Sequence, residues 1–308
     1  MIVVVCPGQG AQTPGFLAPW LELPKFKAAL ETMQSASDLD LIKFGTVSDA
    51  DTIRDTAIAQ PLIVAAGVAT MAQIFDTAGT VSGSIAGIAG HSVGEITAAI
   101  GAGVFTPETG IKFVKQRGKS MASAASLEAT SMAAILGGDQ ALIEARLSEL
   151  GLEPANYNGG GQIVAAGSAA AIAELQAGAP AGSRVIPLQV AGAFHTRYMA
   201  PAIDELSVYA QGLPVADPQT RIWTNAGGKQ VSTGAEYLQL LIQQVKSPVR
   251  WDLCMSALVE AGVTALIEVA PAGTLVGLAK RSMPGIEAIA VKTPENIDAA
   301  LSLIANHS

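Results

Sequence analysis

The stretch GIAGHSVGEITAAIGAGV, residues 87–104, constrains the fold more than any other part of this chain. An apolar run ends at a serine set between glycines, and a helix-like run begins at once. That is the pattern of a strand turning sharply into a helix, with glycines where backbones must approach and a hydroxyl presented at the edge of a sheet. The helix start behind the serine supplies amide donors and the positive end of a dipole. The pattern G-x-S-x-G alone also fits a serine that merely caps a helix.

Other segments agree with a parallel sheet covered by helices. IVVVC (2–6) is a buried strand running into the glycine-rich loop PGQGAQTPG. Residues 59–75 have helical length and spacing, and SIAGIAG (84–90) is a short strand. In the helix over 106–125, Thr106 is the N-cap and Pro107 the first helical residue. IWTN (222–225) and TALIEVA (264–270) are further strands of the same unit.

The middle of the chain reads differently. Strands at 131–138, 154–158, 162–167 and 184–190 alternate with helices at 139–151 and 168–179. The order β-α-β-β-α-β within about sixty residues is the ferredoxin-like arrangement. The expected architecture is therefore α/β: an α/β-hydrolase-like large subdomain with a parallel sheet, residues 1–126 and 192–308, plus an inserted ferredoxin-like small subdomain, residues 127–191.

Composition narrows the function. Half of the 308 residues are hydrophobic, 14% are charged, and the net charge is −8. An acidic chain lacks the basic face that general nucleic-acid binding needs. Cys6 and Cys254 make no metal spacing, and nothing calls for a disulfide between them. The N-terminus lacks a basic n-region, and no apolar run reaches the roughly 18 residues of a membrane span. The expectation is a soluble, cytoplasmic, reduced protein.

If Ser92 is a nucleophile it needs a base, usually histidine. His307 adjoins the C-terminus, where chains are commonly disordered. His91 neighbours the serine, so its side chain should diverge at the turn. His195, in VAGAFHTRYMAP, remains. The acids between Ser92 and His195 sit mostly on helices or in the insert, and Glu95 suits its helix dipole. A dyad whose histidine leans on a backbone carbonyl fits better than a triad. Arg117 lies among core-like residues; it is either a solvated surface arginine, the commoner case, or a planar fork for a carboxylate. The elbow alone would equally serve a serine hydrolase or thioesterase acting on acyl thioesters. PGQGAQTPG lacks both the G-x-G-x-x-G spacing and the P-loop lysine of nucleotide loops.

Taken together, PGQGAQ, GHSVGE, QRGKSM, GAFHTRYM and QQVKSPVRW stand in the order and spacing of the malonyl-CoA:acyl carrier protein transacylases. The chain resembles that family over essentially its whole length, and its actinobacterial type most. The resemblance implies malonyl transfer from malonyl-CoA to the phosphopantetheine thiol of acyl carrier protein through a malonyl-serine ester. It implies no metal or redox cofactor, and neither nucleic acid nor membrane as partner. Ser92 would be the nucleophile, His195 the base and the Gln244 carbonyl its orienter. The amides of Gln9 and Val93 would form the oxyanion hole, and Arg117 would hold the malonyl carboxylate. Asn158 would face the cleft. Phe194 goes with malonyl rather than branched units, although it could also be plain core. Thr196 and the turn EVAPAGTL (268–275) depart from the family pattern, with packing rather than chemistry affected. Docking an acidic carrier would need a local basic patch, with Lys112, Lys115, Lys119, Arg184, Arg197, Lys280 and Arg281 as candidates.

Overall fold

The computed structural model describes residues 1–81, 83 and 85–307. The strand expected over 84–90 begins at Ser84, which lies outside the described residues. Among the described residues the strands are β1 (Ile2–Cys6), β2 (Ile85–Gly90), β3 (Thr130–Gly137), β4 (Glu153–Gly159), β5 (Gln162–Ser168), β6 (Ser183–Pro187), β7 (Arg221–Trp223), β8 (Gln230–Val231), β9 (Val249–Arg250), β10 (Ala265–Glu268) and β11 (Glu287–Ala290).

One sheet has the order β11-β10-β1-β2-β7-β8. All pairings are parallel except that of β8, which folds back antiparallel onto β7. β1 is central, and every residue of it is buried because helices cover both faces. Helix Thr56–Phe75 is almost wholly core. Its mean hydropathy of 1.6 and length of 20 residues would suffice to cross a membrane, contrary to the expectation that no such run exists. Most of it is packed inside the protein, and that burial accounts for the apolar sequence. Helix Pro107–Ala125 lies against it and starts as expected, with the Thr106 side chain accepting from the Thr109 amide.

The second sheet has the order β6-β3-β5-β4-β9. Its first four strands pair antiparallel, as a ferredoxin-like unit requires. Period-two alternation divides its faces. Ala133, Ile135, Ile163 and Ala165 pack under helices Gln140–Glu149 and Ala169–Ala177, on Ile143, Leu147, Ile172 and Leu175. Met132, Ala134, Asn156, Asn158 and Val164 face the other way, into a cleft. Two features differ from expectation. The last strand stops at Pro187 rather than residue 190, and Leu188 and Val190 turn into the cleft instead. The sheet also gains β9, far outside residues 127–191, which pairs parallel to β4 through Asn156 and Tyr157.

The glycines at the end of β2 set how tightly the elbow seats. A Cβ on Gly94 would lie 2.1 Å from the carbonyl oxygen of Cys6, the last residue of β1. A Cβ on Gly90 would lie 2.1 Å from backbone atoms of Gly94. Gly277, in helix Thr274–Ser282, has nothing within 4 Å of that position. Gly94→Ala is expected to destabilise the fold by about 1–3 kcal/mol through overpacking. Gly277→Ala should be neutral or stabilise by up to about 1 kcal/mol. Urea unfolding of the two variants checks the contrast, and equal stabilities would contradict this packing.

Candidate active site

Ser92 sits in the left-handed region, φ 52°, and so does His195, φ 62°. Strain of this kind costs on the order of 1–3 kcal/mol per residue and persists only where surroundings over-determine it. The surroundings do so here. The Ser92 amide donates to Asn225 Oδ1 at 2.8 Å, and its carbonyl accepts from the Glu95 amide at 2.9 Å and from Gln244 Nε2 at 3.2 Å. The His195 amide donates to the Val245 carbonyl at 3.0 Å. Thr196 supports the same turn, its hydroxyl donating to the Ala193 carbonyl at 2.6 Å.

The two strained residues meet. Ser92 Oγ lies 2.7 Å from His195 Nε2. His195 Nδ1 lies 2.8 Å from the carbonyl oxygen of Gln244, at the end of helix Gly234–Gln244. A carbonyl can only accept, so Nδ1 carries the proton and Nε2 presents its lone pair to the serine hydroxyl. Burial, reinforced by the nearby charge of Arg117, pushes the His195 pKa down to about 3. The ring is a neutral base. Among the described residues no carboxylate hydrogen-bonds the ring, whose Nδ1 partner is the Gln244 carbonyl.

Around this pair lies a cavity of about 240 Å³. Its lining includes Gln9, Ser92, Val93, Phe194 and His195 from the large sheet's side and Asn158 from the small sheet. Thr274 and Leu275, from the turn EVAPAGTL, also reach it, so that turn shapes the cavity as well as the packing behind it. The amides of Gln9 and Val93 donate to no protein acceptor among the described residues. Both residues line the cavity beside Ser92.

The other two histidines have different duties. His91 diverges from the serine as expected. Its Nε2 lies 2.8 Å from Asn158 Oδ1, while Asn158 Nδ2 donates to Gln162 Oε1 at 3.2 Å. Burial holds the His91 pKa below the ordinary value. Asn158 thus ties the elbow to the small sheet. His307 has contacts of its own: Nδ1 lies 3.2 Å from Thr264 Oγ1 and Nε2 lies 3.5 Å from Glu287. Thr264 precedes β10, so His307 sits at the end of the sheet opposite the dyad.

Arg117 is fully buried rather than solvated. Nη1 donates to Gln60 Oε1 at 2.6 Å and Nη2 to Gln244 Oε1 at 2.8 Å, and Nε has no protein partner. Burial lowers its pKa to about 10, with the charge of Glu95 working against that shift. Gln60 lines the cavity, so the guanidinium stands immediately behind the lining.

Three residues that sequence reasoning missed, or read too modestly, hold this arrangement. Glu95 does more than complement a helix dipole: it is buried, accepts the Asn225 amide at 2.7 Å, and accepts Gln244 Nε2. Burial pushes its pKa up to about 7, against the pull of these hydrogen bonds and of Arg117. Asn225 grips the elbow from both sides, its Nδ2 donating to the Gly90 carbonyl at 2.7 Å. The side chain of Gln244 joins Glu95 to Arg117. The motifs GHSVGE and IWTN contain two of these residues, but nothing local reveals that they meet.

Of the cations considered for docking, Arg197 is ion-paired with Glu153 and Lys115 Nζ donates to the Ser37 carbonyl at 2.6 Å. Lys112, Lys119, Arg184, Lys280 and Arg281 are exposed. No cluster of His, Cys, Asp and Glu able to hold a metal occurs among the described residues.

Because the imidazolium form is disfavoured, an NMR titration of the His195 ring should show no inflection near its ordinary value of 6.5. A full titration step centred there would contradict the buried, neutral base described above.

Known proteins resemble this chain in sequence and in fold. Residues 3–293 match the family described as acyl transferase domain. The malonyl CoA-acyl carrier protein transacylase of Mycobacterium bovis is 45% identical over 303 residues, covering 98% of this chain and all of that protein. The crystal structure of MCAT from Mycobacterium tuberculosis superposes with a TM-score of 0.92 at 43% identity, covering 98% of this chain and 99% of the other. A malonyl-transacylase solved in complex with its type II PKS acyl-carrier protein superposes with a TM-score of 0.92 at 29% identity, covering 98% and 99%. The chain belongs to the acyl transferase domain family, among the malonyl CoA-acyl carrier protein transacylases.

Proposed function

We propose that the protein transfers a malonyl group from malonyl-CoA to the phosphopantetheine thiol of an acyl carrier protein. One observation carries the reading: a serine on a strained elbow, 2.7 Å from a neutral imidazole, with a buried guanidinium behind the same cavity. The names of the relatives support the substrate and the acceptor.

In this reading His195 Nε2 takes the Ser92 proton as Oγ attacks the thioester carbonyl. The amides of Gln9 and Val93 receive the oxyanion, an interaction whose loss typically costs on the order of 3 kcal/mol in the barrier. The carbon–sulfur bond breaks, His195 returns its proton to the departing CoA sulfur, and a malonyl-serine ester remains. The carrier's thiol then gives its proton to the same nitrogen, attacks the ester, and Ser92 recovers its proton. Throughout, the Gln244 carbonyl holds the ring by Nδ1. Arg117 receives the malonyl carboxylate, and Phe194 crowds any branch at the α-carbon. Asn158 steadies the elbow through His91. The Ser–His pair and two amides account for every proton and charge in the cycle, so it calls for no metal or redox cofactor. The reading places the protein in the cytoplasm with soluble partners, and assigns residues 127–191 to a small subdomain that roofs the cleft.

Mixing the protein with malonyl-CoA should add one malonyl group to Ser92 by intact mass. Adding a phosphopantetheinylated carrier protein should then remove it and malonylate the carrier, while Ser92→Ala should take up no malonyl group. Rapid multiple turnover to free malonate without carrier would mark a hydrolase instead. Arg117→Ala should lower malonyl loading by about 10- to 100-fold, as expected for losing a charged hydrogen bond, while sparing acetyl loading. An unchanged malonyl preference in that variant would remove Arg117 from its role.

A further inference from the structure

Arg117 is a buried cation with an unusual coordination. Its two described contacts are neutral amide oxygens, on Gln60 and Gln244, and no carboxylate pairs with it directly among the described residues. The carboxylate whose charge it feels is Glu95. Between them stands the side-chain amide of Gln244.

An amide has two unlike ends, and here each end has one possible kind of neighbour. The Nε2 end of Gln244 is surrounded by acceptors: Glu95 Oε2, the Ser92 carbonyl at 3.2 Å and Asn225 Oδ1 at 3.3 Å. The Oε1 end faces only the Arg117 donor at 2.8 Å. Reversing the amide would set NH₂ against guanidinium and oxygen against carboxylate, all buried. Unmatched buried polar groups are expensive, and charged ones most of all. The strongest of the three acceptors is the carboxylate.

We propose that Glu95 is a positioning residue: it fixes the direction of the Gln244 amide, and that amide holds the Arg117 guanidinium for a substrate carboxylate. The inference rests on the malonyl-transfer reading above. Glu95 touches no substrate. It acts along a chain of two hydrogen bonds, carboxylate to amide nitrogen and amide oxygen to guanidinium. Its second oxygen accepts the Asn225 amide and so steadies the elbow, but that contact bears on every acyl group alike. The contact through Gln244 also steadies the elbow for every acyl group, by the amide's bond to the Ser92 carbonyl, but its hold on Arg117 bears only on acyl groups that carry a free acid. Selectivity therefore separates the two roles.

Glu95→Gln tests this. Its oxygen can still accept the Asn225 amide, but its NH₂ opposes that of Gln244, and the amide must turn. The readout is the rate of Ser92 acylation, by intact mass, from malonyl-CoA and from acetyl-CoA. The expected result is a fall of about ten-fold or more in the malonyl-over-acetyl ratio, the scale of one hydrogen bond to a charged group. In an Arg117→Ala background the same substitution should leave the ratio where Arg117→Ala alone put it. Gln244→Met keeps the main-chain carbonyl on His195 while removing the amide, so it should reproduce the loss of preference even if Glu95→Gln does not fold. Equal losses for both acyl groups, a full additional effect without Arg117, or an intact preference in Gln244→Met would each overturn the proposal. A protein that loads no malonyl in its unaltered form would overturn the functional reading itself, and this inference with it.

Discussion

Everything near the cavity depends on how closely the helix after Ser92 approaches the end of β1. Gly94 leaves no room for even a methyl group between itself and the Cys6 carbonyl. That contact fixes where the helix begins, and therefore where the chain must reverse. The reversal forces Ser92 to a positive φ and aims its hydroxyl out of the sheet. Asn225 then holds both ends of the turn, and the hydroxyl has one direction left to face. The sheet supplies rigidity, the glycines supply proximity, and the strain that results at the elbow falls on Ser92.

The electrostatics follow the same economy of parts. Arg117, Glu95 and His195 share one buried region, and burial pushes each toward its neutral form. Isolated charges there would be costly. Two glutamines and an asparagine stand between the cation and the acid and take up both Nη groups and both carboxylate oxygens. A direct Arg–Glu pair would compensate the guanidinium's charge and, in the reading proposed above, compete with a substrate carboxylate for it. Separation by one amide keeps the charges coupled yet leaves the cation available.

Sequence alone carried far because the main features are local. β1 is legible in five consecutive apolar residues, the elbow in five residues around Ser92, and a helix start in Thr106 and Pro107. The βαββαβ order of the small sheet needs only the succession of periods. What stayed hidden is non-local. Glu95, Asn225 and Gln244 are ordinary polar residues at their own positions, and Glu95 meets the other two only across 130 or more residues of sequence. Strands β8 and β9 have two residues each, too short for any period to show. The short helices Leu41–Thr46 and Ala50–Arg54, capped by Asp40 and Asp49, are likewise set by capping and contact rather than by pattern. The terminal helix, Ile297–Asn306, leads into a histidine anchored on the far edge, a tether that only tertiary structure creates.

The short strand β9 ties together parts that the chain keeps apart. It follows within five residues of Gln244, whose carbonyl steadies the base, and it pairs with β4, which carries Asn158 and through it the elbow's own histidine. The small sheet and the segment behind the imidazole therefore share one run of backbone hydrogen bonds. The position of the imidazole and that of the small sheet are thus set together, through one short strand that belongs to neither segment by sequence.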